Sequence, residues 1–455
     1  MRIPESLMMS VSGVRGILGE GMNPEIASRF TASFARDLGG GMVVVGRDSR
    51  PSGPLLADAV EATLRFAGLA VVDLGIVSTP TVEIMVAELG AAGGIIITAS
   101  HNGPEWNALK FLGPSGEFLG GPEMERIIER VKSGEPLHTA PGELGALRKD
   151  DSGDAVHIKK ILELPVTDRE KVSSARFTAA VDCVNGAGSR IIPALLGTLG
   201  VEVVELNTDT DKPFPHNPEP RPEHLGDLAG AVSSSGADIG FACDPDADRL
   251  VLVDETGGVL SEELTLAVAA DFVLSRKKGP IVANMSTSRL LDWLGEKHGV
   301  KVLRTSVGEA NVIAGMKETK AVVGGEGNGG VIYPELHYGR DAMAGIALVL
   351  QSLAESGMTL GETVSRMPSY HIVKEKVPFT GDFSEVEPAL AGRFEGRVDR
   401  TDGVRIDMEQ GWIHVRASNT EPVVRIITEA ESPDRARKLA SRAGSVLKAV
   451  MEEER

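Results

Sequence analysis

Residues 93–110 read GGIIITASHNGPEWNALK. The β-branched run Ile95-Ile96-Ile97 stops at Thr98-Ala99-Ser100-His101-Asn102, the pattern of a buried strand ending in a small polar turn. That places Ser100 at the tip of a sheet, and ligands of open α/β sheets gather at the carboxyl ends of strands. A serine there can serve as nucleophile, phosphate carrier or metal ligand. Lys110, a short loop downstream, can give or take a proton if its neighbours lower its pKa.

Outward from this stretch the chain repeats itself. MVVVGRDSR (42–50) leads through an amphipathic run ending at Gly68 into LAVVDLG. AAVDCVNGAGSR (179–190) leads into IIPALLGTLG and VEVVEL, and PIVANMSTSR (280–289) into LLDWLGEKHG and VKVLRT. Each unit is strand, polar turn closed by arginine, helix, glycine, strand, which is the βαβ signature. The pattern predicts three related α/β domains with mixed sheets, at 1–150, 151–255 and 256–368. A smaller α+β domain is expected at 369–455, with a helix over SEVEPALAGRF, a hairpin around Glu409-Gln410-Gly411 and a closing helix. The charged, glycine-bearing stretch 133–154 reads as the first linker.

Composition narrows the function classes. The chain has 455 residues, 42% of them hydrophobic, and a formal net charge of −18. A field of that sign disfavours nucleic acid and anionic membranes as partners. Salt screens it within about 8 Å, so local arginines can still hold phosphate. No apolar run approaches the ~20 residues of a membrane helix, and the N-terminal stretch lacks a signal-peptide core. The two cysteines, Cys183 and Cys243, sit in apolar strands. These features predict a cytoplasmic protein without disulfides.

Four motifs carry chemistry. Ser100 heads the first. In the second, Asp244-Pro245-Asp246-Ala247-Asp248-Arg249, three carboxylates alternate on a tight loop between two strands. Left bare they repel one another, so a hard cation such as Mg²⁺ is expected, completed by a phosphate oxygen. An EF-hand is excluded because Arg249 takes the obligatory glycine position and strands flank the loop. A haloacid-dehalogenase-type aspartyl nucleophile is the alternative. The third motif, GEGNGG (325–330), is not a dinucleotide fingerprint, since strand and turn follow it; its glycines admit a ligand to the backbone, and Glu326 and Asn328 offer groups to sugar hydroxyls. The fourth, RASNTEP (416–422) with Arg425, is equipped to bind a phosphate dianion. Arg15, in SVSGVRG (10–16), is placed to reach a phosphate, and His101 to hydrogen-bond the carried group. No Walker A motif, zinc-spaced Cys/His set or Gly-x-Ser-x-Gly elbow is present.

In order, SGVRG, TASHN…K, DPDADR, GEGNGG and RASNTEP resemble the α-D-phosphohexomutase superfamily over nearly the whole chain. ASHNGPEWNALK and GGEGNGGVIYPELHYGRDA look most like its archaeal-type phosphoglucosamine mutases, with phosphomannomutase/phosphoglucomutase as the runner-up. The resemblance implies four domains and a phosphoserine at Ser100, whose phosphate holds Mg²⁺ together with Asp244, Asp246 and Asp248. It implies Lys110 as acid/base, with Arg249 near the transferring group. Glu326 and Asn328 would orient the sugar, and Arg416, Ser418, Asn419 and Thr420 would clamp the distal phosphate. The implied substrate is a phosphorylated hexose or hexosamine, a hexose 1,6-bisphosphate is intermediate and activator, and the protein is a monomer or homodimer. Gly103 replaces the usual proline, Asn328 a frequent serine, and Gly330 a histidine of some members. A metal-dependent sugar phosphatase and a non-catalytic sugar-phosphate-binding protein are the readings from other classes.

Overall fold

The structure, a computed structural model, describes residues 3–4, 6–10, 13–134, 137, 142–379, 382–417 and 423–453. The chain forms two units, Met1–Lys277 with Asn328–Val364, and Lys278–Gly327 with Ser365–Arg455.

In the first unit a seven-stranded sheet is built from β1 (Met8–Ser10), β2 (Gly13–Ile17), β3 (Met42–Arg47), β4 (Ala70–Ile76), β5 (Gly93–Ile97), β6 (Trp106–Leu112) and β7 (Leu147–Lys149). The order is β1-β2-β6-β5-β3-β4-β7. β5 runs parallel to β3 and antiparallel to β6. Every residue of β5 is buried, as its unbroken apolar run requires of a strand covered on both faces. The period of two is visible in the packing. Val43, Val45, Ile95 and Ile97 join one core with Phe30, Phe34 and Phe111, while Val44 and Ile96 join the opposite core with Val82 and Met85. Helix Pro24–Leu38 covers the first face; Asn23 caps it by accepting from Ile26 N at 2.9 Å, and Gly39 ends it in the left-handed region. Helix Thr79–Glu88, capped by Ser78, is buried along most of its length on the second face.

The stretch 133–154 is not only a linker. Residues Leu147–Lys149 form β7, parallel to β4, and Gly153 opens the helix Gly153–Leu162. All three β7 residues are exposed at the sheet edge, so no apolar alternation marks them.

Also in the first unit, β8 (Thr178–Asp182), β9 (Glu202–Leu206), β10 (Ile239–Cys243) and β11 (Leu250–Val253) form a sheet in the order β11-β10-β8-β9. β8 is parallel to β9 and β10, while β10 and β11 form an antiparallel hairpin whose connection is Asp244–Arg249. Cys183 and Cys243 are free and buried beside the ends of β8 and β10.

The second unit contains the parallel strands β12 (Ile281–Asn284), β13 (Val302–Thr305) and β14 (Val323–Glu326), with β12 in the middle. The chain then returns to the first unit with β15 (Gly330–Ile332) and the helix Ala342–Ser356. The second unit closes on an antiparallel sheet of β16 (His371–Pro378), β17 (Arg397–Asp399), β18 (Val404–Met408), β19 (Gly411–Ala417) and β20 (Val423–Ala430). Helix Pro433–Glu453 supplies Ala440, Ala443 and Leu447 to its core. The fold is thus three related α/β parts with mixed sheets and a C-terminal α+β domain. Among the described residues no helix is long and apolar enough to cross a membrane.

Candidate active site

Ser100 follows β5 by three residues and has φ +49°, the left-handed region that non-glycine residues rarely enter. Its surroundings dictate that conformation. Ser100 N donates to Thr98 Oγ1 at 2.9 Å, and Thr98 Oγ1 donates to Asp48 Oδ2 at 2.6 Å. Arg50, wholly buried and paired with Asp48, donates to the carbonyls of Ser100 and Asn102. Asp48 and Arg50 belong to the loop after β3, which is parallel to β5, so the two turns open on one end of the sheet. Arg15, on β2, donates to Asn102 Oδ1 at 2.6 Å. Burial, then Arg249, lowers the Arg15 pKa to about 10, which leaves it a cation at neutral pH.

The serine hydroxyl donates to Asp244 Oδ2 at 2.7 Å. Asp244, Asp246 and Asp248 are all buried and each offers an oxygen within 4.8 Å of the others. Every one of them has an oxygen fixed by the protein. Asp244 Oδ1 accepts from the amides of Asp248 and Arg249, both at 3.2 Å. Asp246 Oδ2 accepts from Lys110 Nζ at 2.7 Å and Thr79 Oγ1 at 2.8 Å. Asp248 Oδ2 accepts from Arg340 at 2.6 Å. The second oxygens of Asp246 and Asp248 are buried without a hydrogen-bond partner, as is Nδ1 of His101. Orphaned carboxylate oxygens in this setting are costly unless a cation meets them, so the donor set fits a hard, oxygen-preferring divalent ion. Burial, with Asp248 and Asp246 close by, drives the Asp244 pKa well above the carboxylate range. Burial acts the same way on Asp246, but Lys110 and Thr79 outweigh it and hold that carboxyl well below the range.

Lys110 differs from expectation in one respect. Burial lowers its pKa, but Asp246 and Asp248 outweigh burial and raise it, so the group is an ammonium rather than a ready base. His101 is half-buried, and burial, with Arg249 and Arg15 nearby, keeps its imidazole neutral. Arg249 Nε lies 3.8 Å from Asp244 and 3.9 Å from Asp248. Asn328 belongs to this unit and accepts from Gly330 N at 3.1 Å. Neighbouring Gly329, at φ +87°, lies against the Leu250 backbone where a side chain has no room. Thr79, Asp48, Arg50 and Arg340 escaped the sequence reading; only Arg50 had a local signal, as the arginine closing the first repeat's turn.

Beneath Arg340, Asp341 caps helix Ala342–Ser356 through the amides of Met343 and Ala344. Its other oxygen takes His157 Nε2 at 2.8 Å and His337 Nε2 at 3.0 Å, and Glu83 lies 3.3 Å from His337 Nδ1. Burial opposes a charge on His337, but Asp341 and Glu83 prevail and raise its pKa to about 10. A group raised from 6.5 to about 10 contributes stability that is complete below pH 6.5 and lost as pH rises through 10. Melting temperature should therefore fall between pH 7 and 10. In His337→Gln that slope should flatten, with a loss at pH 7 of about 3 kcal/mol, read from urea unfolding across the pH range.

In the second unit, Glu326 ends β14 and accepts from Asn284 Nδ2 at 2.7 Å and Gly308 N at 3.3 Å. Asn284 Oδ1 is itself held by Ser286 N and Thr287 Oγ1. Arg416 on β19 lies directly opposite Arg425 on β20, and Arg425 lies opposite Lys376 on β16. The register thus lines up three cationic residues across neighbouring strands of one sheet. Lys376 was not singled out by the sequence motifs. Asp402 holds the Arg416 Nε at 3.1 Å. Ser418, Asn419 and Thr420 lie outside the described residues.

The chain matches the phosphoglucomutase/phosphomannomutase family throughout: its α/β/α domain I at residues 7–138, domain II at 155–258, domain III at 261–370, and its C-terminal domain at 374–443. It is 38% identical to a "probable phosphoglucosamine mutase" of Methanopyrus kandleri, with 98% of each chain covered. It is 40% identical to a "phosphoglucomutase/phosphomannomutase" of Thermococcus kodakarensis, covering 93% of this chain and 95% of that one. A phosphoglucomutase/phosphomannomutase family protein of Burkholderia thailandensis has a similar crystal structure, with TM-score 0.83, 28% identity, and coverage of 97% and 98%. Five motifs in order, a serine hydroxyl on a buried aspartate triad and full-length matches to all four domains make this chain a member of the phosphoglucomutase/phosphomannomutase family, the phosphohexomutases.

Proposed function

We propose that this phosphohexomutase interconverts the 6- and 1-phosphates of a hexosamine or hexose through a phosphoserine at Ser100, with glucosamine phosphate preferred. The observation that carries the reading is the 2.7 Å contact of Ser100 Oγ with Asp244, beside two aspartate oxygens left without partners. In the forward transfer the bond from Oγ to phosphorus breaks as the free C1 or C6 hydroxyl oxygen bonds to phosphorus. Lys110 gives a proton to Oγ and is reloaded by the one the sugar hydroxyl releases, so the exchange consumes no net proton. The product is a hexose 1,6-bisphosphate, which turns end for end, and the reverse exchange at the other oxygen returns a phosphoryl group to Ser100. Asp244, Asp246, Asp248 and the serine-borne oxygen would hold Mg²⁺, which when bound would supply neutralising charge near the transferring group.

The chain's own residues do the rest. Lys110, kept as an ammonium by Asp246 and Asp248, is assigned the proton given to Oγ as it leaves. Arg15 and Arg249 face the phosphoryl oxygens, and neutral His101 hydrogen-bonds them. Glu326 and Asn328 orient the sugar through its 3- and 4-hydroxyls, which glucose, mannose and glucosamine share. Arg416, Arg425 and Lys376, with Ser418, Asn419 and Thr420, bind the phosphate that does not react. A clamp holds ground and transition states alike, so its loss appears in KM. Arg425→Gln should raise KM by about 10-fold or more with kcat little changed, and Lys376→Ala by about 3-fold, in steady-state assays.

The glucosamine preference is supported by the motif stretches 99–110 and 324–342 and by the Methanopyrus relative's name. The Thermococcus relative's name favours the second reading, phosphomannomutase/phosphoglucomutase activity. Purified protein assayed with glucosamine, mannose and glucose phosphates, Mg²⁺ and a bisphosphate activator decides between them. The highest kcat/KM is expected for glucosamine 6-phosphate; equal values, or a preference for mannose or glucose, would reject the first reading.

A further inference from the structure

Each carboxylate of the Asp244–Asp246–Asp248 triad has one oxygen tied to the protein. Backbone amides tie Asp244, and Lys110 with Thr79 ties Asp246. At Asp248 the tie is Arg340 Nη2 on Oδ2 at 2.6 Å, with Lys110 Nζ 3.8 Å from the same oxygen. Oδ1 of Asp248 is the orphan. We propose that Arg340 is a positioning residue that restricts Asp248 to one cation-facing oxygen and so biases the triad toward a small six-coordinate ion and against Ca²⁺.

The fold builds Arg340 for this. Its backbone bridges to Ile332, and Asp341 N donates to Val331 O at 2.9 Å. Asp341 is locked by the helix it caps and by His157 and His337. The buried guanidinium therefore projects from an anchor with little freedom. Gly330 makes the room: a Cβ there would overlap the Arg340 Cδ and Cγ. The glycine that replaces a histidine of some relatives is thus structurally tied to this arginine.

Coordination chemistry gives the direction. Three carboxylates offering one oxygen each, with Ser100 Oγ, present few ligands in a fixed arrangement. Mg²⁺ takes six oxygens at about 2.0–2.1 Å, whereas Ca²⁺ takes six to eight at about 2.3–2.6 Å and readily accepts a bidentate carboxylate. Without Arg340, both Asp248 oxygens become available. Loss of the guanidinium charge also changes affinity, but for any divalent ion to a similar extent. The ratio of Ca²⁺ to Mg²⁺ affinity cancels that effect and isolates the geometric one.

The inference rests on the metal site proposed above, and its test separates the two. Full-length protein, stripped of metal by chelation, is titrated calorimetrically with MgCl₂ and with CaCl₂, without substrate. In Arg340→Met the ratio of Ca²⁺ to Mg²⁺ association constants should rise by about 10-fold relative to wild type. Arg340→Lys, which restores one donor, should recover most of the original ratio. Gly330→Ala, which displaces the arginine without removing its charge, should raise the ratio too and carries the test if Arg340→Met does not fold. Wild type binding Mg²⁺ with the ratio unchanged in folded variants overturns the role of Arg340 and leaves the metal site standing. Wild type binding neither ion overturns both.

Discussion

Replacing Ser100 by Ala should lower turnover by a factor on the order of 10⁴ or more while leaving the protein folded, because the oxygen that carries the phosphoryl group is gone. The stability cost should be small. Alanine is no worse suited than serine to φ +49°, and the Thr98–Asp48–Arg50 brace acts on the backbone of residue 100, not on its side chain. The lost contact to Asp244 is a single hydrogen bond. Phosphosugar affinity should also persist, since the residues assigned to the clamp are untouched. The expected signature is near-wild-type melting and sugar-phosphate binding with no phosphate incorporated at position 100 by mass spectrometry. Hydrolytic or mutase turnover surviving in Ser100→Ala would instead point to an aspartyl nucleophile. Asp244 and Asp246 have the Asp-x-Asp spacing for that role, which makes the outcome decisive.

The features legible in the chain were those written locally. The run Ile95–Ile97 followed by a polar turn announces a covered strand and its tip, and alternate aspartates between two apolar runs announce a hairpin loop converging on one point. The residues that brace these loops come from far along the chain. Arg50 reaches a carbonyl 50 positions away, Thr79 an aspartate 167 positions away, and Arg340 one 92 positions away. Nothing near Thr79 sets it apart from an ordinary helix start, and Arg340, though it lies within the stretch 324–342, carries no local sign of the carboxylate it meets. Lys376 is equally silent until strand register places it opposite Arg425. Strand β7 was hidden because three exposed residues carry no alternation. The pKa of Lys110 went the other way for the same reason, since its direction depends on which carboxylates the fold brings near.

Activity and stability should separate in Asp244→Asn. Three buried carboxylates lie within 4.8 Å, and burial and the other two aspartates already push the Asp244 pKa well above the usual range. Holding all three ionised without a cation is costly, so the metal-free protein bears strain that the ion relieves. Asparagine removes one charge yet keeps an oxygen for the amides of Asp248 and Arg249. Its amide NH₂ can still meet the serine oxygen as donor, though it no longer accepts the serine proton or offers a carboxylate oxygen to a cation. In the presence of EDTA the variant should therefore melt higher than wild type, while its kcat with Mg²⁺ falls by about 10³-fold or more. Added Mg²⁺ should raise the melting temperature of wild type and do far less for Asp244→Asn, as linkage between binding and folding demands. The comparison needs only thermal melts with and without metal and one rate assay. Equal melting of the two proteins in EDTA would mean that the triad is not charged against itself, and the case for a resident cation would lose its physical basis.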